Sequence, residues 1–125
     1  MNIEYLSWIK KGDEDLSSLE ALLKHREGSP STGCFLAQQV IEKFLKGLCV
    51  SIGLELEKTH DLAKLADSLA KSYHEIEVFY KKLAIFNRYY IESRYPGDYP
   101  EFTWEECERA FEISNKIKEF VKNKI

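Results

Sequence analysis

Thr32-Gly33-Cys34-Phe35-Leu36-Ala37-Gln38-Gln39-Val40-Ile41-Glu42-Lys43-Phe44-Leu45-Lys46-Gly47-Leu48-Cys49-Val50-Ser51-Ile52 is the stretch that decides the fold. Cys34, Ala37, Ile41, Phe44, Leu48 and Ile52 recur at helical spacing and share one stripe, which Leu36, Val40 and Leu45 widen. A helix apolar over so much of its circumference is covered by neighbours on several sides, so it is expected to be the most buried. It is read as starting near Thr32, after Glu27-Gly28-Ser29-Pro30-Ser31, where glycine and proline interrupt helical geometry. Gly53 stands where a left-handed cap ends it.

Working outward, Tyr5, Trp8, Ile9, Gly12, Leu16, Leu19 and Leu23 form one stripe of a first helix over 5–25. Beyond the connector Leu54-Glu55-Leu56-Glu57-Lys58, Thr59 or Asp61 caps a third, shorter helix with Leu62, Leu65, Ala66 and Leu69 inward. Ser72-Tyr73-His74-Glu75 reads as a capping box that opens a fourth helix, with Ile76, Phe79, Leu83, Phe86 and Tyr90 inward. That helix ends by Tyr95, before Pro96-Gly97-Asp98-Tyr99-Pro100. Thr103-Trp104-Glu105-Glu106 is a second capping box, and Cys107, Ala110, Phe111, Ser114, Ile117 and Val121 line the fifth helix. With no alternating strand pattern, the expectation is an all-α fold: an up-and-down antiparallel bundle of four long helices and one short helix, a single domain over 1–125.

Composition narrows the function. A length of 125 residues suits one core, and a formal charge of −3 gives no general attraction for polyphosphate, so a DNA-coating role is excluded and any nucleotide contact must be local. Cys34, Cys49 and Cys107 are odd in number and far apart, and read as reduced, packed thiols. No apolar run approaches the ~20 residues of a spanning helix, and the acidic start MNIEYLSWIKKGDEDL lacks an apolar leader, so a cytoplasmic protein with no membrane contact is expected. There is no glycine-rich phosphate loop, and the Glu-x-x-His spacing that di-iron bundles need twice, on facing helices, occurs once, at Glu57 and His60, with no match at His25 or His74. No metal and no cofactor are expected.

Asn87-Arg88-Tyr89-Tyr90-Ile91-Glu92-Ser93-Arg94-Tyr95-Pro96 is the segment richest in candidate chemistry. Arginine forks onto phosphate oxygens and tyrosine stacks on a base, so Arg88, Tyr90, Arg94 and Tyr95 are candidate nucleotide- or partner-binding residues. The alternative is packing, with the tyrosines against the bundle and the arginines paired to Glu92, Glu101 or helix-end carbonyls. On the second helix Gln38, Glu42 and Lys46 form a polar row. Either Glu42 and Lys46 pair on a solvated face, or Lys43 or Lys46 lends positive charge to a groove shared with Arg94. His60 either titrates near neutrality or serves a helix end. The lysines Lys116, Lys118, Lys122 and Lys124 read as solvated complements to a helix C-terminus.

Asp15-Leu16, Phe35 to Lys46, Lys58-Thr59-His60-Asp61-Leu62 and Ser93-Arg94-Tyr95-Pro96, in that order, resemble the HEPN family (higher eukaryotes and prokaryotes nucleotide-binding domain) over nearly the whole chain. The resemblance implies a helical bundle, commonly a homodimer, often the partner of a minimal nucleotidyltransferase in a toxin-antitoxin pair. Many members are metal-independent RNases carrying an arginine, four to six residues and then a histidine. Here the windows after Arg88, Arg94, Arg26 and Arg109 hold Ser93-Arg94-Tyr95, Tyr99-Pro100-Glu101, Ser31-Thr32-Gly33 and Ser114-Asn115-Lys116, with no histidine. The resemblance without that motif implies a non-catalytic nucleotide-binding or protein-interaction module, with no catalytic residue. The alternative is a divergent RNase toxin in which His60 supplies the imidazole and RNA is the ligand.

Overall fold

The computed structural model describes residues 4–125; residues 1–3, the start of the segment read above as lacking a leader, lie outside the described residues. The described residues form five α-helices: α1 (Tyr5–His25), α2 (Pro30–Ser51), α3 (Leu62–Ala70), α4 (Tyr80–Ile91) and α5 (Trp104–Lys122), with a 3-10 segment at His74–Phe79 leading into α4. No strand occurs among the described residues.

Residue pairings give the direction of each helix. Gly12 faces Phe44, Gly47 faces Ile9, and Gly33 faces Leu22, so α1 and α2 are antiparallel. Asp13 pairs with Lys118 and Lys122, and Arg26 with Glu108, so α1 and α5 are antiparallel too. Arg88 meets Glu106 while Phe79 meets Phe120, which makes the fourth arm antiparallel to α5. Gly33 faces Cys107 and the Ala37 carbonyl accepts from Ser114, so α2 and α5 run the same way. Together these pairings define the up-and-down bundle.

Inside it, α2 contributes Ile41, Phe44, Leu45 and Leu48, all without exposed surface, packed with Leu19, Leu69, Leu83, Phe86 and Ile117 from the other helices. All three thiols are free and buried. Burial pushes Cys49 up to about 11, and the hydrogen bond with Cys107, then burial, raise Cys34 as well. These thiols act as small apolar side chains. No helix of the described residues is long and apolar enough to cross a membrane.

Several ends follow their capping residues. Asp61 Oδ1 accepts from the Ala63 N–H at 3.0 Å, Thr103 Oγ1 accepts from the Glu106 N–H at 3.1 Å, and Gly53 has φ +77°. Two ends differ from the sequence reading. Ser29 caps α2 and Pro30 is its first residue, because a proline there costs no hydrogen bond, so the helix begins before Thr32. Ser72 caps nothing; the chain enters the 3-10 segment at Tyr73 with no side-chain cap, and α4 proper has 12 residues. Tyr73, Ile76 and Phe79 face the core three residues apart, a period that suits three residues per turn. Of the C-terminal lysines Lys116 and Lys122 are exposed, as expected, but three of the four also form ion pairs: Lys118 and Lys122 hold Asp13, and Lys124 holds Glu75 at 2.5 Å. Burial acts to raise the Asp13 carboxyl, yet the bonds from Lys122 and Lys118 outweigh it and hold it low.

Candidate functional site

Gln38, Glu42 and Lys46 lie four residues apart on α2, and the helix is covered so completely that the row is buried, at 0%, 5% and 8% exposure. The solvated face expected for the Glu42–Lys46 pair is therefore corrected: the pair forms, at 3.1 Å, but inside the protein. A buried carboxylate needs donors. Glu42 has three: Lys46 Nζ on Oε2, and Gln38 Nε2 at 3.1 Å and His60 Nδ1 at 2.9 Å on Oε1.

The connector before α3 is thereby fastened to α2 at two points. Gln38 Nε2 also donates to the His60 carbonyl at 3.1 Å, fixing the backbone, while Glu42 fixes the ring. Asp61 then caps α3 at once, so His60 has no slack on either side. An ionised carboxylate only accepts, so Nδ1 carries the proton and Nε2 is the nitrogen left for a ligand. The imidazole is 51% exposed whereas the Glu42 side chain is 6% exposed, which means the ring is held from within and open outward.

His60 stacks on Tyr90, centroid to centroid 4.1 Å at 18°, and Arg94 Cζ lies 4.2 Å from the centre of the same phenol. Arg94 also lies 5.1 Å from the Tyr95 ring centre and donates to the Tyr95 hydroxyl at 3.0 Å, with Phe35 at 5.6 Å. It has no carboxylate partner among the described residues. An exposed guanidinium laid on aromatic faces, with its charge unneutralised, is free to fork onto an anion.

The other sequence candidates are placed elsewhere. Arg88 donates to Glu106 at 2.6 Å, Glu92 at 3.3 Å and the Pro100 carbonyl at 3.1 Å, and lies 4.2 Å from the Phe102 ring centre. It shares no partner with Arg94 and ties α4 to α5. Lys43 pairs with Asp15 of α1, and Lys46 with Glu42 beneath the Trp8 ring, so neither lysine joins Arg94 in a groove. Tyr90 and Tyr95 do join it, as does His60. Tyr90 is half-buried while its neighbour Tyr89 takes the core position expected for Tyr90.

Glu42 as a partner of His60, Gln38 as its backbone anchor, and Asn87 beside Tyr90 were not assigned from sequence. The usable signal for the first two was a polar row on a helix apolar almost all round, where each polar group must find a partner. A larger concavity, about 330 Å³, lies by the proline-rich loop and includes Glu92 and Glu101 with no cation in its lining, so it does not suit an anion. No group of three or more His, Cys, Asp or Glu side chains is placed to hold a metal among the described residues.

The model of the HEPN domain family matches residues 5–124. Among solved structures, TT1696 from Thermus thermophilus is similar at 28% identity and a TM-score of 0.88, covering 100% of both chains. ST0689, an archaeal HEPN homologue, is similar at 25% identity and a TM-score of 0.74, covering 99% of this chain and 98% of its own. Among curated proteins, no relative matches.

Proposed function

The chain belongs to the HEPN family, and from that premise we propose that it is a homodimeric binding module, the companion of a minimal nucleotidyltransferase, that holds a nucleotide or RNA end by its phosphate at Arg94. The family supports the pairing and the dimer. One observation carries the ligand: Arg94 is a guanidinium without a carboxylate, resting on Tyr90 and Tyr95. Tyr95, 55% exposed, offers a face for a base. Arg88 is left out of this reading because two carboxylates already consume its charge.

Calorimetric titration with ribonucleoside 5′-monophosphates tests it. Arg94→Ala is expected to weaken binding by about tenfold, the worth of one charge-assisted contact. Heat absent from the parent protein as well defeats the nucleotide reading.

A second reading, metal-independent RNA cleavage, is favoured by the Glu42–His60 contact, since an imidazole oriented by a carboxylate is the usual form of a general base. Purified protein is incubated with mixed RNA in chelator. Cleavage that His60→Ala abolishes supports the enzyme; RNA left intact by the parent removes it.

A further inference from the structure

The cleft beside Tyr90, about 220 Å³, is walled by His60, Asp61, Asn87, Tyr90 and Ile91. Its polar groups are an imidazole, a carboxylate, an amide and a phenol, with neither lysine nor arginine. A phosphate is poorly matched to a carboxylate and finds no fixed cation there. Arg94 does not line the cleft, yet it rests on the Tyr90 ring that forms one wall. The place for a phosphate and the place for something else therefore adjoin through one side chain.

What the cleft offers is set from below. Glu42 accepts from His60 Nδ1, so in the neutral ring Nε2 is the acceptor, and Asp61 next to it is another. Acceptors select donors, and in a nucleotide the donors nearest the phosphate are the sugar hydroxyls. The 2′-hydroxyl is also the group by which a protein separates ribose from deoxyribose. A freely turning histidine gives no such selection, because its two tautomers exchange donor for acceptor. The buried row Gln38, Glu42 and Lys46 prevents that exchange: Lys46 keeps the carboxylate paired, Gln38 holds the backbone, and Glu42 holds the ring.

We propose that His60 Nε2 accepts a hydrogen bond from the ribose 2′-hydroxyl of a nucleotide whose phosphate lies on Arg94, with Glu42 as the positioning residue, so that the site takes ribonucleotides in preference to 2′-deoxyribonucleotides. This rests on the nucleotide reading above and adds to it the sugar.

The experiment compares the four ribonucleoside 5′-monophosphates with their 2′-deoxy counterparts by calorimetry, and reads the His60 ring by nitrogen-15 NMR. The parent is expected to bind ribonucleotides about fivefold more tightly, the net worth of one hydrogen bond, and to show the proton on Nδ1. Glu42→Gln supplies a donor where the carboxylate accepted, so it is expected to move the proton to Nε2 and bring ribonucleotides down to the deoxy level. If that variant does not fold, His60→Phe makes the same comparison, since a phenyl ring retains the stack on Tyr90 without the acceptor. Equal affinity for both sugars, or a parent His60 protonated on Nε2, overturns the proposal while the phosphate reading stands. Binding of none of the eight nucleotides overturns both.

Discussion

Replacing Glu42 by alanine is expected to lower the unfolding free energy by about 3 kcal/mol, the low end of what breaking a buried ion pair costs. On a chain of this size the midpoint of thermal unfolding falls by about 10 °C. The loss is not the strength of one contact. Without Glu42 the ammonium of Lys46, a residue only 8% exposed, has lost its carboxylate partner, and Gln38 and His60 each lose an acceptor. Two features moderate the cost: Lys46 lies 5.6 Å from the centre of the Trp8 ring, whose face attracts a cation, and its long stem allows the head to reach water. Urea denaturation measures the outcome, and a variant within about 1 kcal/mol of the parent contradicts the burial argument.

The double change Glu42→Met with Lys46→Met is expected to behave differently. Both charges leave together, the stems are replaced by an apolar side chain of similar length, and stability returns to within about 1 kcal/mol of the parent. If so, the ion pair is not what holds the bundle together. Its remaining consequence is the hydrogen bond that fixes the His60 ring nitrogen, which the double variant loses while the Gln38 anchor and the Tyr90 stack remain. A row that costs desolvation, adds little to stability and ends on an outward-facing imidazole is intelligible as part of a site.

How far such a site can be read from sequence depends on the distance over which its contacts act. The stripes of α1, α2 and α5 are legible because helical periodicity is a local property, as Leu16 and Leu19 or Ile117 and Val121 illustrate. The caps Asp61 and Thr103 are legible for the same reason. Ser72 misleads because a capping box is also local, whereas the 3-10 entry to α4 is imposed by Tyr73, Ile76 and Phe79 packing on neighbours. Arg94 with Tyr90 is four residues apart on one helical path, and the segment announces it. His60 with Glu42 is not: 18 residues and a connector separate them, and only the folded path of that connector across α2 brings them to 2.9 Å. Arg88 and Arg94 look equivalent in sequence, yet six residues on a helix and its terminal turn send one to the carboxylates Glu92 and Glu106 and leave the other unpaired.

Gly33→Ala is the second large effect expected, and its sign is decided by two opposed magnitudes. In a helix interior the substitution favours folding by about 1 kcal/mol through the backbone alone. Here the added methyl collides with Cys107 Sγ and meets Leu22 Cδ2 at 3.2 Å, where α1, α2 and α5 converge. The sulfur is only two bonds from its own Cα and so has little room to swing away, and Cys107 has no exposed surface. Overpacking of this kind costs about 1–3 kcal/mol or more, so the clash wins and the net loss is expected to be about 2 kcal/mol. Relief should come from the partner: Cys107→Ala removes the sulfur, and in the double variant the new methyl fills part of the space it vacates. Gly33→Ala with Cys107→Ala is then expected to be more stable than Gly33→Ala alone, a favourable coupling of at least about 1 kcal/mol between residues in contact. Strictly additive losses in urea denaturation show that α2 and α5 adjust freely at this crossing. In that case a methyl at position 33 is absorbed without displacing Phe35 and Gln38, which α2 carries a turn further on toward the site.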